Sequence, residues 1–184
     1  VSTGAECFYK HGQLENDPLN ADEAYAMAKA LGSGQKTTEQ FYIEDNVTKI
    51  ETAFSTQYNN ITLQITTSDN KVFKLYRIGV TQELADNIIV GSLVKAKGII
   101  YNYSGSTMET DAGGTIISVS NPLTGIKISG AASLKVDAKQ TYTVAPIPSV
   151  ASLDTVIWSV FSGEEFVSLP ETKTGTSIEV TGVA

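Results

Sequence analysis

The chain is poor in the residues that most site chemistry needs. Its 184 residues hold one cysteine, one histidine and one tryptophan. The lone Cys7 excludes an internal disulfide, so the fold must hold by packing alone. Cys7 follows Gly4-Ala5-Glu6, and a charged residue there does not suit a lipoprotein cleavage site. It reads as a partly buried thiol. The lone His11 would have to serve any Ser/His/Asp or Cys/His machinery, yet it lies in a polar lead-in before Gly12. No G-x-S-x-G elbow accompanies it, so no catalytic residue is assigned. Cys7 and His11 lack the second pair that a tetrahedral metal site requires. Glu44-Asp45-Asn46 and the Asp17, Asp22 and Glu23 set lack the spacing of a calcium loop. No metal and no cofactor is expected. No run of eighteen apolar residues exists to span a membrane. No leader segment opens the chain, which reads as already trimmed.

Positive charge is scarce as well. The net charge is −7. The first 120 residues carry 9 Lys and Arg against 14 Asp and Glu, and the remainder 4 against 6, so −5 and −2 fall to the two parts. No Lys/Arg cluster occurs. A phosphate backbone calls for positive charge, so nucleic acid and anionic membrane are poor candidate partners.

Thr, Ser, Asn and Gly fill the space that charge leaves, which suits exposed strands and their turns. One helix is predicted after Pro18. Asn20 caps it and Glu23, three residues on, returns the bond. Ala24, Met27, Ala28 and Leu31 recur at helical spacing, and Gly32 stops it. Gly32-Ser33-Gly34-Gln35-Lys36 follows a helix and does not open one, so it is no phosphate loop. A short strand is allowed at Cys7-Phe8-Tyr9. Beyond the helix the pattern is β. Strands are expected over 41–50, 61–66, 72–78 and 93–103, with a return at 107–110 and a fifth region over 115–119. Asp69-Asn70 reads as a two-residue hairpin turn, and 82–90 as a helical or turn connection.

Asn121-Pro122-Leu123 marks a boundary, because proline breaks a ladder. Domains are thus expected at 1–120 and 121–184. Past it come a short strand at 125–130, a strand, turn and strand over 133–144, a Pro-bearing crossover over 145–150, and Val156-Ile157-Trp158-Ser159-Val160. The chain finishes on Val180-Thr181-Gly182-Val183-Ala184.

One helix and about five strands fit a small barrel of the oligonucleotide/oligosaccharide-binding (OB) kind. Pro18 to Ala24, Ala28 to Gln35, Gln40 to Ile43 and Lys97 to Gly105 resemble the OB-like domains of secreted and surface proteins of Bacteroides-type bacteria. In strand one, Asp45 or Asn46 stands where that family has glycine. The second segment resembles the bacterial Ig-like domain, group 2, at Ile126, Ile128, Leu134, Val136, Pro146, Val156 to Ser159 and Val180 to Ala184. Asp137 stands where that family has glycine. The resemblance implies one more strand after Ala184, so the expected fold is mainly β: an OB-like five-stranded barrel with one N-terminal helix, then an incomplete Ig-like sandwich. Asp154-Thr155-Val156 resembles the three-residue O-glycosylation signal of Bacteroides-type bacteria.

In OB folds, ligands lie on the outer face of strands two and three. Thr62, Gln64 and Thr66 are expected to point outward there, with Lys74 and Tyr76 opposite and Arg77 beside them. Tyr76, Tyr101 and Tyr103 form a possible aromatic platform for a sugar; the alternative is three half-buried strand tyrosines. Trp158 is expected in the core of the sandwich. The resemblances imply a non-enzymatic surface or secreted module, outside the cytoplasm, that is adhesive or structural. Its expected partner is a glycan or a surface or matrix protein, or further domains of its own parent chain if it is a spacer. The competing reading is an accessory nucleic-acid-binding domain of a surface nuclease.

Overall fold

The computed structural model describes residues 10–184. It divides into two compact units, Val1–Ser120 and Asn121–Ala184. Cys7 and the strand expected at Cys7-Phe8-Tyr9 lie outside the described residues.

In the first unit, helix α1 spans Ala21–Ala30. The Glu23 amide donates to the Asn20 side chain at 2.9 Å, and the Asn20 amide donates to the Glu23 carboxylate at 2.9 Å. This reciprocal pair satisfies two of the donors that a helix start leaves open. Ala21, Ala24 and Ala28 are fully buried, and their small side chains let the helix lie close on the barrel. The Ala21 amide donates to the Asp45 carboxylate at 2.8 Å. Asp45 therefore fastens the helix to the first strand. The stop differs from expectation. Leu31 caps the helix in an extended conformation, and the left-handed residue is Gly34, with φ 76°, not Gly32.

Strand β1 is much longer than expected, spanning Lys36–Ser55. The other strands of this unit are β2 (Asn60–Thr66), β3 (Val72–Gly79), β4 (Leu93–Asn102), β5 (Met108–Thr110) and β6 (Thr115–Ser120). A short helix α2, Gln82–Asp86, connects β3 to β4. The length of β1 closes the barrel. Its first half, Lys36 to Asn46, pairs with β4, and its second half, Val47 to Ser55, pairs with β2. Register shifts along β1 bend it between the two partners. β5 and β6 both run parallel to β3 and antiparallel to β4. Together they form one fifth strand interrupted by residues 111–114. The ring therefore has five positions. Gly114 sits at the interruption, where an added Cβ would lie 2.7 Å from the Lys97 carbonyl oxygen.

The barrel interior follows from alternation. Phe41, Ile43, Leu63, Ile65, Phe73, Leu75, Val94, Ala96 and Ile100 are buried at alternate positions of their strands, and Met108 joins them from β5. Each large apolar side chain removed from water contributes about 1.5–3 kcal/mol. The β2–β3 turn is not the two-residue turn expected. The Thr67 amide donates to the Lys71 carbonyl at 2.8 Å, leaving a loop of Ser68, Asp69 and Asn70. Asn70 takes the left-handed conformation, φ 63°, which Asn tolerates. Ser68 is drawn to helix α1, its hydroxyl donating to Asp22 at 2.9 Å.

The second unit has one four-stranded sheet. Its strands are β7 (Gly125–Ser129), β8 (Lys139–Ile147), β9 (Val167–Ser168) and β10 (Ser177–Gly182), in the order β7-β8-β10-β9. Val144, Ala151, Ile178 and Val180 are its buried apolar side chains. The crossover expected at 145–150 is partly strand. β8 continues through Pro146, which pairs with Ile126. Proline is tolerated there because β10 pairs with β8 only up to Thr143, so no second ladder needs its missing N–H. The strands expected around Leu134 and Trp158 reduce to single bridges, Val136 with Gly182 and Ile157 with Thr174. Trp158 is half-buried and not in a core, and its indole N–H donates to the Gly175 carbonyl at 2.7 Å. Asp137 has φ 62°, the conformation that glycine would supply there.

Candidate functional site

The register of the barrel lines up one row of side chains on its outer face. Gln64 of β2 pairs with Lys74 of β3, Lys74 with Glu109 of β5, Glu109 with Tyr101 of β4, and Tyr101 with Lys36 of β1. Directly paired residues point to the same face, so these five are neighbours across the whole ring. Beside the row lies a cavity of about 460 Å³ bounded by Lys74, Tyr76, Tyr101, Tyr103, Glu109 and Asp111, with Thr107 at its edge. A second depression of about 470 Å³ shares Tyr76 with it. Its other walls include Glu51, Ser55, Tyr58, Asn60, Thr62 and Arg77.

Of the residues expected at the site, Thr62, Lys74, Tyr76, Arg77, Tyr101 and Tyr103 line one or both of these cavities, and Gln64 braces their wall. Gln64 donates to Glu51 at 2.6 Å, and Lys74 donates to the other Glu51 oxygen at 2.8 Å. Those two bonds, Gln64 first, hold the Glu51 carboxyl below its ordinary pKa. Thr66 is tied at 2.6 Å to the Thr48 hydroxyl and lines neither cavity. Tyr101 and Tyr103 meet edge to face, with centroids 5.7 Å apart and planes at 78°. Tyr76 and Tyr101 are half-buried, while Tyr103 is 58% exposed. The half-buried alternative thus describes two of the three tyrosines.

Thr62 is not a free outward hydroxyl. It is 4% exposed, and its Oγ1 accepts the Arg77 amide at 3.1 Å. The reason is a bulge. The β2–β3 register shifts between Ile61 and Leu63, and Arg77 turns to φ 42° opposite. The Tyr76 amide is likewise diverted, donating to the Thr110 hydroxyl at 3.0 Å. Two threonine hydroxyls therefore satisfy the amides that the bulge takes out of the ladder. The bulge aims Tyr76 and Arg77 together, with the guanidinium carbon 5.3 Å from the ring centroid.

Glu109, Asp111, Glu51 and Lys36 were not anticipated. Asp111 is paired with Lys36 at 2.7 Å, and the Lys36 ammonium also lies 5.7 Å from the Tyr101 centroid. Glu109 differs from all its neighbours. It is 5% exposed, and among the described residues its carboxyl has no hydrogen-bond or ion-pair partner. Burial pushes its pKa up; Lys74 opposes this, and Glu51 and Asp111 add to it. The available signal was the pairing of 107–110 back onto 93–103, which sets Glu109 against Tyr101.

Among the described residues, no group of three His, Cys, Asp or Glu is placed to hold a metal ion. No helix among them is long and apolar enough to cross a membrane. Asp154 and Thr155 are exposed, outside any strand or helix. No protein-family model matches the chain, and no curated protein matches it.

Proposed function

We propose that the barrel is a non-enzymatic glycan-binding module of an extracytoplasmic surface or secreted protein, with the second unit presenting or spacing it. Glu109 carries this reading. Its side chain is largely buried, yet its carboxyl has no partner among the described residues and opens between three tyrosines. A pyranose has an apolar C–H face and an edge of hydroxyls. Tyr101 and Tyr103 offer ring surface to the first. The Glu109 carboxyl lacks hydrogen-bond donors, and hydroxyls supply them. Thr107 and Asp111 add polar groups at the rim.

The full-length chain on a glycan array tests this. Specific binding is expected, reduced tenfold or more by Tyr103→Ala and by Glu109→Gln with the fold unchanged by circular dichroism. Binding to matrix proteins with no glycan bound would overturn it.

The nucleic-acid reading fits the groove less well. Lys74 and Arg77 share the two cavities with Glu51, Glu109 and Asp111, and Lys74 is already engaged by Glu51. Single-strand binders rely on a positively charged groove.

Glycoside hydrolysis is a second reading, favoured by one observation. A carboxyl pushed up by burial, Glu109, shares a cavity with Asp111. Glycosidases use such a pair. Against it, Lys36 holds Asp111. Release of reducing ends from a bound glycan, abolished by Glu109→Gln, would replace binding with hydrolysis.

A further inference from the structure

The two depressions on either side of Tyr76 hold five charged residues, and their pairing is uneven. Glu51 takes Lys74, and Asp111 takes Lys36 from outside the cavities. Two groups are left over. Glu109 stands unpartnered in one depression. Arg77 stands in the other, with no acidic partner among the described residues. Its guanidinium lies against the Tyr76 ring, which leaves the forked N–H donors open to a ligand. The Glu51 carboxylate in the same depression is engaged by Gln64 and Lys74 and forms no ion pair with Arg77.

Arg77 is also held there against its own preference. Its φ of 42° is left-handed, where residues other than glycine, Asn and Asp are uncommon. The Thr62 hydroxyl maintains that turn from a buried position. Backbone strain of this kind concentrates at sites where a side chain must be aimed. Tyr58, 68% exposed, stands at the same depression and offers a second ring.

We infer that the ligand is an acidic oligosaccharide running across Tyr76, with a neutral sugar over Glu109 and the carboxylate of the next, acidic sugar on Arg77. This rests on the glycan reading and adds the charge of the ligand and its direction on the face. The planar fork of Arg77 matches a carboxylate bidentately, as a lysine would not.

The test uses the full-length chain with matched pairs of oligosaccharides: uronic-acid-containing glycans and their carboxyl-reduced counterparts. The acidic member is expected to bind at least about tenfold tighter at low salt, and added salt should narrow that gap. Arg77→Asn keeps a residue that tolerates the left-handed turn while removing the charge. It should equalise each pair. Equal binding of both members by the unsubstituted protein, still lost in Tyr103→Ala, would overturn the acidic subsite and leave the glycan reading standing. A preference that survives Arg77→Asn would also overturn it. Binding of neither member in any pair would overturn both readings.

Discussion

Glu51 on β1 reaches Lys74 on β3 across the whole of strand β2, with 2.8 Å between Oε1 and Nζ. Gln64, on the strand between, donates to the other oxygen at 2.6 Å. Three strands are thus cross-braced at the floor of the candidate site. The brace fixes Lys74 away from Glu109, although the two residues are register partners. This is why Glu109 stays unpartnered with a lysine beside it.

Glu51→Ala should therefore weaken the fold modestly, by about 1 kcal/mol or less, because the pair is part-exposed. The pH dependence has a definite sign. Gln64 and Lys74 lower the folded-state pKa of Glu51 below its ordinary 4.5. The stabilisation is then present above that ordinary value and is lost as pH falls through the lowered one. Urea unfolding of both proteins should show a gap at pH 7 that closes in acid. A gap that widens in acid would contradict the brace.

Glu109→Gln should behave in the opposite way. Burial raises the folded-state pKa of Glu109 above its ordinary 4.5. Below that value the carboxyl is neutral in both states and costs nothing. As pH rises, the unfolded chain ionises first, and the native state loses stability relative to it. The amide has the same shape and never ionises. The substituted protein is expected to match the original near pH 4 and to melt higher at pH 7. Equal melting temperatures at both pH values would mean that the carboxyl is well solvated.

Much of the barrel was legible because its signals are local. The Asn20 and Glu23 capping pair depends on three-residue spacing, and the interior of β2 on strict alternation through Ile61, Leu63 and Ile65. The site was only half legible. Tyr76 and Tyr101 can be placed on a face from their own strands. Glu109 cannot, because Met108, Glu109 and Thr110 are all buried and show no alternation. Its meaning appears only when β5 is set between β3 and β4. Thr62 misled for a related reason: alternation turns it outward, and the bulge at Arg77 then covers it. The long reach of β1 was hidden because Lys36 to Gln40 is polar, an exposed stretch without an apolar face.

His11 bridges two acids, with Nδ1 2.9 Å from Asp17 and Nε2 3.1 Å from Glu23. Both contacts favour the imidazolium, and its pKa is raised, mainly by the bond to Asp17 and then by that to Glu23. A raised pKa means that the stabilisation is complete below the ordinary 6.5 and fades as pH rises through the folded-state value. Glu23 also closes the helix cap, so the link couples the lead-in to α1. His11→Gln should lower the melting temperature at pH 5.5 and have a smaller effect at pH 8.5. A larger effect at pH 8.5 would show that the side chain acts through packing, not charge.

Asn102 links the platform to the helix. It is 3% exposed, its Nδ2 donates to the Leu31 carbonyl at 2.8 Å, and its Oδ1 accepts the Gly105 amide at 2.7 Å. Its backbone also exchanges bonds with Gln35 and Gly34. One side chain thus satisfies the carbonyl at the end of α1 and the loop that carries Tyr103. Asn102→Ala would orphan both groups, and each buried polar group left without a partner costs about 1–3 kcal/mol. The unfolding midpoint in urea should drop accordingly. Amide exchange at Gly105 should speed up, and glycan affinity should fall because Tyr103 loses its anchor. Asn102→Asp separates the two bonds. It keeps the acceptor for Gly105 but sets a carboxylate against the Leu31 carbonyl, so Gly105 should stay protected while stability falls. If Gly105 exchanged equally fast in both substituted proteins, the acceptor oxygen at position 102 would not be what protects that amide.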